Sequence, residues 1–95
     1  MTRLALALAL AFGLASAAAA QASCYADYTA SQSDPYDLHY GVAEIRGDCT
    51  VPAATEELRT RLADAGWQLL VVRGTFDSAG AESRRNDAGN FYLRY

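Results

Sequence analysis

Thr50-Val51-Pro52-Ala53-Ala54-Thr55-Glu56-Glu57-Leu58-Arg59-Thr60-Arg61-Leu62-Ala63-Asp64-Ala65-Gly66 runs directly into Trp67-Gln68-Leu69-Leu70-Val71-Val72-Arg73-Gly74-Thr75-Phe76. The change of period at Gly66 decides the fold class. Before it, Val51, Ala54, Leu58, Leu62 and Ala65 recur at spacings of three and four, which predicts a helix from about Pro52 to Ala65 with one apolar stripe. Thr50 is placed to cap it, Pro52 fits its first turn, and Glu57 and Arg61 are four apart and can pair. Gly66 suits the left-handed residue that ends a helix. After it, Trp67, Leu69 and Val71 alternate on one face and Leu70, Val72 and Phe76 on the other, which predicts a strand buried on both sides.

Working outward, Leu38-His39-Tyr40-Gly41-Val42-Ala43-Glu44-Ile45 predicts a first strand, with Gly41 marking a bulge or a close approach. Arg46-Gly47-Asp48 is read as a turn, since a tripeptide is too short to identify an adhesion motif. Phe91-Tyr92-Leu93-Arg94-Tyr95 predicts a last strand, paired as a hairpin with the one before it. Residues 77–90 are polar, and 14 residues is long for a bare loop, so extended hairpin arms or a short helix are both open. The expected fold is α+β: a two-layer β-α-β-β domain over residues 38–95, with one helix on a three-stranded sheet. If the first two strands lie parallel, their β-α-β connection is expected to be right-handed. Residues 23–37, with Tyr25, Tyr28 and the Asp34-Pro35 turn, are read as an irregular N-terminal arm.

The chain begins Met1-Thr2-Arg3, followed by an apolar run from Leu4 to Ala15, small residues, and Ala20-Gln21-Ala22. This order predicts a cleavable secretory signal over residues 1–22. The apolar run is short of the roughly 20 residues a membrane span needs. A lipid anchor on Cys24 is disfavoured, because polar Gln21 stands where a lipoprotein signal has an aliphatic residue. The expected address is therefore periplasmic or extracellular, with no membrane attachment after cleavage. Beyond the leader there are seven Arg, no Lys and eleven acids, a net charge of −4. Such a balance disfavours nucleic acid and anionic membrane surfaces. Arg without Lys and heavy Ala use suggest a GC-rich bacterial genome. In an oxidising compartment Cys24 and Cys49 are expected to form a structural disulfide, worth about 3 kcal/mol for a loop of this length. A domain of this size has a small core and commonly needs such a staple.

The segment Ala65-Gly66-Trp67-Gln68-Leu69-Leu70, followed by a close in Tyr92-Leu93-Arg94-Tyr95, resembles a family of small bacterial βαββ domains of unknown function. Their mark is a helix running into a Gly-Trp-Glu-Leu-Val-like motif. The likeness covers about Leu38 to Tyr95 and departs at Gln68 and in the long 77–90 segment. It implies a fold and no activity.

Few residues of the chain suit a chemical role. His39 is the one histidine and is read as a surface or half-buried polar residue. Asp27, Asp34 and Asp37 lack a calcium-loop pattern, and Glu44 and Glu82 have no cleft to make them an acid–base pair. No catalytic residue, cofactor or metal site is expected. Tyr and Arg are the residues enriched at protein interfaces, so Tyr40, Tyr92 and Arg94 are the candidate interaction face, unless Tyr25 and Tyr28 cover it. The expected role is a non-catalytic module that binds a protein partner or a second copy of itself. The alternative is an inhibitor of an exported hydrolase, with Arg84 and Arg85 on an inserting loop; a small enzyme is the least favoured. Mass spectrometry of the exported chain is expected to read an unmodified N-terminus at Ser23. A chain starting at a lipid-modified Cys24 would overturn the soluble reading.

Overall fold

The computed structural model describes residues 23–95. The secretory signal read over residues 1–22 lies outside the described residues. The fold is α+β, with a helix packed on a three-stranded antiparallel sheet and a Cys24–Cys49 disulfide. The elements are β1 (Cys24–Gln32), β2 (Asp37–Ile45), α1 (Val51–Asp64), β3 (Gln68–Phe76), two short helices α2 (Ser78–Glu82) and α3 (Arg85–Ala88), and a 3-10 turn at Gly89–Phe91.

The order within the sheet is β2-β1-β3. The segment read as an irregular arm is therefore the central strand, and the element order is β-β-α-β. Cys24, Ala26, Tyr28 and Ala30 alternate toward α1, while Tyr25, Asp27 and Thr29 point the other way. Alanine, serine and aspartate have low strand preference, so propensity hid this period of two. Its neighbours on both sides supply the hydrogen-bond ladder regardless. β2 and β3 run parallel to each other, but β1 lies between them and pairs antiparallel with each. The Asp34–Pro35 turn, with a cis bond, joins β1 to β2.

α1 forms as the sequence predicts. Thr50 Oγ1 accepts from the Ala53 N–H at 3.3 Å, and Gly66 has φ +87°. Ala54, Leu58 and Leu62 are fully buried, whereas Val51 and Ala65 at the ends of the stripe are exposed. Alanines at 26, 30 and 43 form the sheet surface beneath the helix, and their small side chains let it approach closely. Glu57 accepts from the backbone N–H groups of Arg46 and Gly47 and pairs with Arg61 at 2.8 Å, so the Arg-Gly-Asp turn is tied to the helix. The disulfide joins the start of β1 to the loop before α1, with a Cα–Cα distance of 5.7 Å.

β3 is an edge strand rather than a central one. Two bulges, where Arg73 and Leu70 have no partner on β1, break its alternation. Leu69 and Val72 turn to the α1 side, while Leu70 and Val71 are half exposed at 50% and 52%. Trp67 precedes the strand and is buried.

Phe91–Tyr95 does not form a strand. After the 3-10 turn it makes one bridge to the outer edge of β2, Val42 to Tyr92, and the Leu93 N–H donates to the Val42 carbonyl at 2.8 Å. Leu93 has φ +57° and is exposed. The segment follows the outer edge of β2 instead of pairing with β3. Phe91 and Tyr95 pack on the α1 side and Tyr92 on the other.

His39 is buried, not a surface residue. Its ring stacks on Phe91 at 3.8 Å and 11°, meets Trp67 edge-on at 4.3 Å, and its Nε2 shares a hydrogen bond with the Tyr28 hydroxyl at 3.0 Å. Gly41 marks a close approach, as its position suggests. A Cβ there would stand 2.5 Å from the Tyr28 hydroxyl oxygen and 2.6 Å from its Cζ. Tyr28 is fully buried on the central strand and has nowhere to move. Gly41→Ala is expected to lower stability by about 1–3 kcal/mol through overpacking, measured by denaturant unfolding. An unchanged midpoint would mean that the core gives way more easily than its packing indicates.

Candidate functional site: the second face of the sheet

The face away from α1 is divided in two. At the end of the sheet nearer Cys24, α2 and α3 lie over it, and Ala81 and Ala88 bury against Val42 with Tyr25, Tyr40, Phe76 and Tyr92 around them. Residues 77–90, left open between hairpin and helix by the sequence, are thus two short helices anchored by alanines. Asp77 caps α2 by accepting from the Gly80 N–H at 2.9 Å.

Asp27 holds this cover to the sheet. It is a buried carboxylate on the central strand. The Tyr40 hydroxyl donates to its Oδ2 at 2.9 Å, and Arg84 Nε lies 3.4 Å from the same oxygen. The Arg84 guanidinium also sits 4.0 Å over the Phe76 ring and donates to the Gly80 carbonyl. Burial first, then the bond to Asp27 and its charge, push the Tyr40 phenol up to about 12. The folded state therefore keeps this proton longer than the unfolded chain does. The associated stability is present below pH 10 and is lost as the pH rises from about 10 to 12. Asp27, Tyr40, Arg73, Ser83, Arg84 and Asp87 line an open polar recess of ≈ 640 Å³.

Beyond the recess none of the described residues covers the same face. Thr29 pairs with Tyr40 on one side and Val71 on the other, and Ser31 pairs with Leu38 and Gln68. Directly paired residues share a face, so Leu38 and Val71 stand on the open half. They are 53% and 52% exposed. Arg73 lies 5.8 Å over the Tyr40 ring at the boundary with the covered half, and Leu70 projects from the adjacent bulge.

The residues singled out by sequence are only partly brought together. Tyr40 and Tyr92 both belong to the second face. Arg94 does not: its guanidinium lies over Phe91 and Tyr95, which pack on the α1 side. Tyr25 is half-buried on the second face, whereas Tyr28 fills the first core. Arg84 is folded inward onto Asp27 rather than presented at a loop tip. Arg85 is exposed, pairs with Glu82 at 2.9 Å and covers the Tyr92 ring. Glu82 is thereby engaged, and Asp27 is separated from the turn that holds Asp34. Among the described residues no three His, Cys, Asp or Glu side chains gather as a metal site. Sequence reading missed Asp27, Leu38 and Val71 as residues of one face. Alternation along residues 24–31 was the signal for Asp27; Leu38 and Val71 join its face through strand pairing, which no local pattern marks.

Comparison of the chain with protein-family models, with curated proteins and with solved structures gives no match.

Asp27→Ala removes the acceptor of Tyr40 and the partner of a half-exposed Arg84, and is expected to cost about 2 kcal/mol. It should also speed trypsin cleavage after Arg84 and Arg85 as α2 and α3 come loose. The Tyr40 phenol, followed by NMR, should titrate nearer the usual 10. Unchanged proteolysis would show that Ala81 and Ala88 suffice to hold the cover.

Proposed function

We propose that this chain is an exported, non-catalytic protein that binds a protein partner through the open half of its second sheet face and the adjoining β3 edge. The observation that carries this reading is the placement of half-exposed Leu38 and Val71 on one face of the sheet, beside Leu70 and a β3 edge that no other strand pairs with among the described residues. The disulfide suggests a non-cytoplasmic, oxidising compartment. The leader read at residues 1–22 supports export to the periplasm or the medium.

Apolar side chains beside Tyr40 and Arg73 give the patch an aromatic and guanidinium rim, the composition favoured at protein interfaces. The edge of β3 is not a smooth template. Its bulges and the exposed Arg73 blunt indiscriminate strand pairing, so a partner must read side chains as well as backbone. The covered half fixes the orientation of this surface, because Tyr40 is bonded to Asp27 on the central strand.

A photo-crosslinking residue at Val71 is expected to capture a defined partner, or a second copy, from cells exporting the protein. The same probe at Glu56, on the solvent side of α1, should not. Val71→Glu should abolish that complex while leaving the unfolding midpoint within about 0.5 kcal/mol, as for an ordinary surface change. A strict monomer by size-exclusion chromatography, with no product specific to position 71, would remove the proposal.

A further inference from the structure

Phe91 closes over a buried imidazole that lacks one of its two hydrogen bonds. His39 Nε2 is bonded to Tyr28, while Nδ1 is buried and has no protein partner among the described residues. Trp67 and Phe91 wall the ring by edge and by face. In the neutral ring one nitrogen is a donor and the other an acceptor, so a single unpaired position can be tolerated. In the cation both nitrogens must donate, and the Nδ1–H would face no acceptor.

We propose that His39 is an acid-sensitive latch, and that protonating it loosens the Gly89–Tyr95 segment from the outer edge of β2. Phe91, stacked on the imidazole, belongs to the C-terminal segment, which also brings the Tyr95 ring to 6.0 Å. That segment is held by the Tyr92–Val42 bridge, the Leu93 N–H on the Val42 carbonyl, the Tyr95 hydroxyl accepting from Trp67 Nε1 at 3.1 Å, and an Arg61 bond to the Tyr95 carbonyl. Trp67, by contrast, is anchored between α1 and β3. Lifting Phe91 is therefore the easiest way to bring water to Nδ1. The same motion frees the Val42 carbonyl and opens the β2 edge for pairing.

The groups facing the imidazole set the sign. Burial disfavours its charged form most strongly; Asp37 on β2 opposes this, and Arg94 on the closing segment adds to it. From β1 and the C-terminal segment the Tyr28 and Tyr95 phenols face it, and Arg61 of α1 lies beyond them. The face of Phe91 favours a cation, but it supplies no acceptor for the Nδ1–H. The closed state thus binds fewer protons than the open one. Closure is complete above the ordinary histidine range, near pH 6.5, and weakens as the pH falls below it. His39 and Leu38 point to opposite faces of β2, so the latch and the open-face reading stand or fall separately.

The test follows the Leu93 amide by hydrogen exchange from pH 7.5 to 5.0, corrected for the intrinsic exchange rate. The chain holds one histidine, so its imidazole NMR signal is unambiguous. Protection of Leu93 is expected to fall by up to about tenfold per pH unit, the limit for one linked proton. The fall should begin at about pH 6.5 and level off where His39 of the folded protein titrates. In His39→Phe, which keeps an aromatic ring and cannot titrate, protection should stay level. Level protection in the wild type, or an equal fall in the variant, overturns the latch. Where the variant does not fold, a fall in Leu93 protection outside the interval between about pH 6.5 and the His39 titration of the folded protein overturns the latch, and a fall confined to that interval supports it.

Discussion

Tyr28 stands on Gly41, and much of the molecule is arranged around that contact. The ring lies on the central strand and occupies the space that any side chain at 41 would need. Because it is fixed there, its hydroxyl reaches His39 and places that imidazole under Phe91. Burial and the nearby Tyr95 hold the Tyr28 phenol well above its ordinary range, so at any physiological pH it is a neutral partner. The chain's largest central side chain thus sets the β1–β2 packing and the position of the C-terminal segment together.

The two faces of β1 have different work. Toward α1, alanines and Cys24 give a flat surface on which Leu58 and Leu62 pack, with the disulfide closing one end. Toward the other side, Asp27 gathers Tyr40 and Arg84 and fastens a cover whose only fully buried apolar groups are alanines. A small domain with so little apolar material cannot cover both faces entirely. The cover stops short of the Leu38–Ser31–Gln68 row, and what remains open is the surface proposed to meet a partner. The polar fastening also explains why Arg84 and Arg85, adjacent in sequence, have separate fates: one turns inward to a buried carboxylate, the other outward to Glu82.

Much of the helix and its joint with β3 was legible in the sequence. The Thr50 cap, the Glu57–Arg61 pair and the left-handed Gly66 depend on neighbours within a few residues, so local chemistry is enough to specify them. The Cys24–Cys49 bond was legible because no other cysteine competes. The strand character of residues 24–32 was not, since its Ala, Ser, Asp and Thr residues match a polar arm as well as a sheet with one polar face. The candidate surface was half legible. Tyr40 and Tyr92 do share a face, but Arg94 is carried to the other side by the turn of the chain at Leu93.

An α+β chain with one capped helix, strands on either side of it and a single disulfide could be read from the residues, because each rests on short-range spacing or on a unique pair. Tertiary structure alone decided that β1 is central, that β3 is an edge, and that Phe91–Tyr95 wraps the sheet rather than joining it. Strand order depends on which edges remain free once a hairpin has formed, and that competition is between segments far apart in the chain. The burial of His39 follows from the same cause. No local pattern marks it, because its cage is assembled from β1, Trp67 ahead of β3 and the C-terminal turn.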